Sequence, residues 1–166
     1  ANYLVEQNVK RILCVRGPLD IDVANDRMRG FEEIMKQHPT IQYDTIVSPF
    51  DFESAKKVTL QQLQHTRDYD AVFASSDASA IGVMKAAESL GIHIPKDVSL
   101  VGYDGINIGT LLSPELTTVA QPISLMGERA TELLIALIEG QKMTAKRVVF
   151  PPKLVVRNST TKGTEL

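Results

Sequence analysis

The sequence predicts an α/β fold, an open parallel sheet with helices on both faces. Three observations carry that prediction. Short apolar runs recur along the chain, among them Ile12-Leu13-Cys14-Val15 and Ala71-Val72-Phe73-Ala74. Stretches of 13 or more residues with apolar positions at helical spacing separate these runs, and strand and helix alternate almost from end to end. Such βα units close into a parallel sheet through right-handed crossovers. With 166 residues, 43% of them hydrophobic, and a net charge of -2, the chain has room for one domain with a real core.

Each element has its own signal. Ala1 to Gln7 reads as the tail of a helix and Arg11 to Arg16 as the first strand. Asp22 to His38 is a helix with Val23, Met28, Phe31, Ile34 and Met35 as core candidates and Asp22 as its N-cap. Ile41 to Val47 is the second strand, and Asp51 to about Thr66 a helix with Ala55, Val58, Leu60 and Leu63 on its apolar side. Asp70 to Ser75 is a short buried strand, followed by a helix from Asp77 to Leu90 that ends on Gly91, a residue suited to a left-handed C-cap. Val98 to Val101 is the fourth strand and Leu116 to Ala120 the fifth. A helix from Ile123 to Glu139 closes on Gly140. Two β-like pieces, Arg147 to Phe150 and Leu154 to Arg157, flank Pro151-Pro152, and from Asn158 on the chain reads as frayed.

Several function classes are disfavoured. Lys and Arg are spread out, so no basic stripe marks a nucleic-acid footprint on this chain. The one cysteine, Cys14, lies in an apolar run and reads as a small buried residue, which fits a reducing compartment. No apolar run approaches the roughly 18 residues of a membrane span, and the expected location is the cytoplasm. His38, His65 and His93 fall at or near helix ends or loops away from the serines, and the Ser75-Ser76-Asp77 turn lacks a nucleophile elbow, so a catalytic triad is not supported. No His or Cys pair has metal-ligand spacing and no glycine-rich phosphate loop leads from a strand into a helix, so neither metal nor cofactor is expected.

In open α/β sheets, ligands collect beyond the carboxyl ends of the strands. Those ends are Gly17-Pro18, Ser48 to Phe52, Ser75-Ser76-Asp77 and Tyr103-Asp104-Gly105, with Arg27 early on the first long helix. One guanidinium, one carboxylate, hydroxyls and aromatic rings suit a neutral polyhydroxylated ligand. Each residue also has a plainer reading. Asp77 is an N-cap, Ser76 a loop hydroxyl, Phe52 a hydrophobic staple or core residue, Arg27 a solvated helix residue and Asp104 a cap or turn residue.

Three segments carry a resemblance: RMRGFEEIM (Arg27 to Met35), DAVFASSDASAIGVMKAAESLGIHIPKDVSLVGYDG (Asp70 to Gly105) and SPELTTVAQP (Ser113 to Pro122). Together they resemble the effector-binding domain of LacI/GalR-family bacterial transcription regulators, which have the type I periplasmic-binding-protein fold. The resemblance implies a two-lobed sensor that closes on a small-molecule effector, expected to be a sugar or sugar phosphate, and acts on operator DNA through a helix-turn-helix domain preceding Ala1. It implies effector contacts from Arg27 and Asp104, with Phe52 as the aromatic position and Ser76 where relatives often carry asparagine. A serine there offers a shorter reach and fewer hydrogen-bonding groups. Gln121 is the hinge candidate. By the same resemblance, residues 1–122 are the C-terminal lobe, 123–150 are crossover elements of the first lobe, and 151–166 are the return strand and frayed tail. Ile81, Leu111 and Leu112 are the candidates for a homodimer contact, with ordinary core positions as their plainer reading. The apolar face of the last helix, with Ile123, Met126, Leu134 and Ile138, would lack its partner. A solute-binding protein of a sugar transporter is the alternative, and an α/β enzyme is disfavoured because no general base stands near Asp104 or Ser76.

Overall fold

Continuous apolar runs on the central strands, shielded on both sides, account for the architecture. The computed structural model describes residues 1–141 and 147–161. Among these residues, six strands form one sheet: β1 (Arg11–Arg16), β2 (Gln42–Val47), β3 (Ala71–Ala74), β4 (Ser99–Asp104), β5 (Thr117–Ala120) and β6 (Lys153–Val155). Their order is β2-β1-β3-β4-β5-β6. The first five run parallel, while β6 pairs antiparallel with β5 at the edge. Five α-helices connect or flank them: α1 (Asn2–Val5), α2 (Asp22–Met35), α3 (Phe52–His65), α4 (Asp77–Ser89) and α5 (Ile123–Ile138). A 3-10 turn spans Asn107–Thr110.

The period of two along each strand divides the core. Leu13, Val15, Val72, Ala74 and Leu100 point to the side of α3 and α4. Ile12, Cys14, Ala71, Phe73 and Val101 point to the other, where Met28, Phe31 and Met35 of α2 meet them. The Phe31 and Phe73 rings stack there at 5.5 Å. Cys14 is fully buried, and burial drives its thiol pKa up. On the opposite face α3 and α4 approach so closely that a Cβ on Gly82 would overlap the carbonyl oxygen of Phe52.

Four expectations are corrected. Asp22 is the first residue of α2 and not its cap, a position held by Ile21 without a side-chain hydrogen bond. Asp77 is likewise inside its helix, with Ser76 as the cap. Residues 147–150 form no strand, because β6 alone pairs with the β5 edge. Finally, the chain from Asn158 to Thr160 is not frayed: Ser159 and Thr160 are completely buried. Pairing of β4 with β5 begins at Val101 and Thr117, which leaves the backbone of Leu100 without a β5 partner. The tail fills that gap. Leu100 N–H donates to Ser159 O at 2.7 Å, Ser159 Oγ donates to Leu100 O at 2.6 Å, and Thr117 N–H donates to Ser159 Oγ at 2.8 Å. Satisfying buried backbone groups in this way orders a polar segment that hydropathy alone reads as loose. The frayed reading for residues 162–166 lies outside the described residues.

The helix α5 buries none of its residues. Leu134, Leu137 and Ile138 are 56%, 62% and 76% exposed, matching the unpartnered face expected from sequence. Among the described residues, no helix is long and apolar enough to cross a membrane.

Candidate functional site

The carboxyl ends of β1, β3 and β4 face the first turns of α2 and α4, and there the structure brings Arg27 and Asp104 together. Arg27 Nη2 donates to Asp104 Oδ1 at 2.8 Å, although the two residues lie 77 positions apart. Their side chains are 9% and 24% exposed, so the pair sits at a rim, sheltered yet open to solvent on one side. Arg27 Nη1 donates to the carbonyl of Ser75 at the end of β3. The guanidinium lies over the ring of Tyr103, 4.1 Å from its centroid, with the Phe50 ring at 5.7 Å. Cation–π contacts with both rings help to hold the planar guanidinium against the carboxylate.

Asp104 is held as firmly. Its Oδ1 also accepts from Gln121 Nε2 at 2.9 Å, and its carbonyl accepts from Gln121 N–H at 3.0 Å. Its φ of 118° is a conformation that L side chains rarely adopt, at a cost on the order of 1 to 3 kcal/mol. Among the described residues, no hydrogen bond reaches Asp104 Oδ2, and Arg27 Nε and Ser75 Oγ are buried without a partner. The carboxylate therefore keeps one acceptor oxygen beside the guanidinium, as a polyhydroxylated ligand would require.

The other candidates have contacts of their own. Ser76 is 3% exposed, and its hydroxyl caps α4, accepting from Ser79 N–H at 3.0 Å and donating to Ser79 Oγ at 2.8 Å. Phe52 opens α3 with 48% of its surface exposed; the aromatic that reaches the guanidinium is Phe50, two residues earlier. Phe50 packs over Gly17, where a Cβ would overlap its ring. The signal was present in the stretch Ser48 to Phe52, where two phenylalanines flank Asp51, the N-cap of α3. Gln121 joins the site through Asp104, a contact that the hinge assignment did not include. Asp77, read from sequence as a cap, is fully buried and binds the turn after Asp104.

On the α4 side of the sheet, Ile81 and Leu112 line one groove of about 320 Å³ with Met84, Ile92, Ile94 and Pro114. Leu111 does not line it and stands 82% exposed. Among the described residues no group of three or more His, Cys, Asp or Glu side chains could hold a metal ion.

Comparison with known proteins gives the family. Residues 1–160 match the family described as periplasmic binding protein-like domain. The ribose operon repressor of Halalkalibacterium halodurans is 42% identical over 98% of this chain and 49% of its own length. The HTH-type transcriptional repressor CytR of Escherichia coli K12 is 32% identical over 96% of the chain and 47% of its length. The chain thus spans about half the length of the curated relatives it matches. Among solved structures, the Lac repressor dimer bound to operator superposes with a TM-score of 0.86 at 27% identity, covering 96% of this chain and 55% of that one. A LacI-family transcriptional regulator from Arthrobacter sp. FB24 in complex with lactose gives 0.83 at 27% identity, covering 96% and 61%. The chain belongs to the family of periplasmic binding protein-like domains, and the relatives it resembles along nearly all of its length are transcriptional repressors.

Proposed function

We propose that the chain is the effector-binding lobe of a bacterial DNA-binding transcriptional regulator, with a sugar as its effector. The observation that carries this reading is the Arg27–Asp104 pair at the strand ends, backed by Tyr103 and Phe50 and left with a free carboxylate oxygen. The open Oδ2 accepts a sugar hydroxyl, the guanidinium donates to a neighbouring one, and an aromatic face packs on C–H groups. Binding bridges this lobe to a second one and shifts the population toward a closed state, which alters the geometry of a homodimer on operator DNA. Ile81 and Leu112, which share the α4 groove, are the proposed dimer contacts, with Leu111 at the margin. Gln121, bonded to Asp104 by backbone and side chain, is the proposed hinge. Repressors as relatives favour the regulator over a transporter's solute-binding protein, and no catalytic role is assigned.

D-Ribose is the probe of choice, since a relative at 42% identity is a ribose operon repressor. Calorimetric titration of the intact protein is expected to show binding, with Arg27→Ala and Asp104→Ala each losing about 2 to 5 kcal/mol because the partner charge is stranded. Unchanged affinity in both variants would overturn the reading.

A further inference from the structure

We propose that Asp77 is the positioning residue for Asp104: from the first turn of α4 its carboxylate holds the β4 turn in the strained form that presents Asp104 to Arg27. The proposal rests on the effector-site reading above, because it gives that site its internal support.

Asp77 is fully buried, and its carboxylate is not used by its own helix, since Ser76 supplies the cap. All of its hydrogen bonds go across to the β4–β5 region. Oδ2 accepts from Gly105 N–H at 2.8 Å and Ile106 N–H at 2.9 Å, and Oδ1 accepts from Thr118 Oγ1–H at 2.6 Å. Gly105 and Ile106 are the two residues that follow Asp104. A non-glycine residue at a φ of 118° persists only where its surroundings over-determine it. Here Asp77 fixes the amides on one side of Asp104, and Gln121 N–H fixes its carbonyl at 3.0 Å.

Two glycines complete the fit. A Cβ on Gly102 would overlap Asp77 Oδ1, and a Cβ on Gly105, itself at a φ of 79°, would lie 2.5 Å from Ala120 Cβ. The strand is therefore bare where the carboxylate crosses it. Burial raises the Asp77 pKa, its three donors oppose that rise, and the nearby Asp104 carboxylate adds to it. Asp77 touches no ligand and acts through Asp104.

The test has a structural and a binding readout. Crystal structures of the intact protein carrying Asp77→Ala or Gly102→Ala are expected to show Asp104 at negative φ and its carboxylate withdrawn from Arg27. In Asp77→Asn, an amide oxygen still accepts from both backbone N–H groups and the NH2 reaches the Thr118 hydroxyl, so the arrangement is retained. With D-ribose as the probe, Asp77→Ala and Gly102→Ala are expected to lose on the order of tenfold or more in affinity, and Asp77→Asn only about threefold or less. The proposal is overturned if Asp104 keeps its positive φ and its contact with Arg27 in either Asp77→Ala or Gly102→Ala, or if both bind D-ribose like the parent while Arg27→Ala does not. If D-ribose fails to bind, or Arg27→Ala and Asp104→Ala bind it normally, the effector reading falls and the crystal structures alone decide the positioning role. Gly102→Ala and Asp77→Asn keep the test open should Asp77→Ala fail to fold.

Discussion

A single hydroxyl shows how a residue chosen for one role comes to serve another. Ser76 stands one position before the expected cap, and its Oγ satisfies the Ser79 amide that the start of α4 leaves without a partner. Its substitution by alanine is expected to cost about 1 kcal/mol of stability, read as a lower denaturant midpoint at unchanged slope, while effector affinity stays at the parent value because the hydroxyl is committed to the helix. A loss of affinity with unchanged stability would return Ser76 to the ligand. The reversal of roles between Ser76 and Asp77 was hard to read from the sequence, since either residue type makes a good cap. What decided it was the arrival of Gly105, Ile106 and Thr118 from distant parts of the chain. Phe50 and Phe52 present the same problem: composition places an aromatic in the loop, and only packing over Gly17 selects which one meets Arg27.

Among the elements, α3 and α4 show where helix propensity gives way to packing. Alanine in place of glycine inside a helix ordinarily stabilises by up to about 1 kcal/mol. At Gly82 the sign is expected to reverse, because the new Cβ would overlap the Phe52 carbonyl and crowd Ala55, with a destabilisation of about 1 to 3 kcal/mol typical of overpacking. Thermal unfolding of Gly82→Ala beside Gly30→Ala, a helical position with nothing within 4 Å of the added carbon, separates the two effects. The extents of β1 and the starts of α2, α4 and α5 follow directly from hydropathy and turn residues. The segment at 147–150 failed that reading because its run of β-branched and aromatic residues resembles a strand, while β6 already occupies the β5 edge.

For the molecule as a whole, the uncovered side of α5 has the clearest consequence. Leu134, Leu137 and Ile138 present more apolar surface than isolated exposed residues would. The 166-residue chain on its own is expected to self-associate, with sedimentation velocity showing a concentration-dependent species above the monomer and Leu134→Glu with Ile138→Lys reducing it. A strictly monomeric parent at all concentrations would contradict this.

By itself the sequence determined the fold class, the order of the first five strands and their helices, and the two residues, Arg27 and Asp104, that meet at the strand ends. These depend on local signals: a period of two or 3.6, strand-end positions, and a short set of segments characteristic of one family. Tertiary structure decided which residues support that pair. Phe50, Tyr103, Gln121 and the carbonyl of Ser75 reach it from separate loops and strands, and Asp77 binds the turn after Asp104 from the start of α4. Tertiary structure also decided that Ser159 and Thr160 are buried, since their order depends on the backbone of Leu100 and the amide of Thr117, groups about 40 to 60 residues away in the chain that local pattern does not connect.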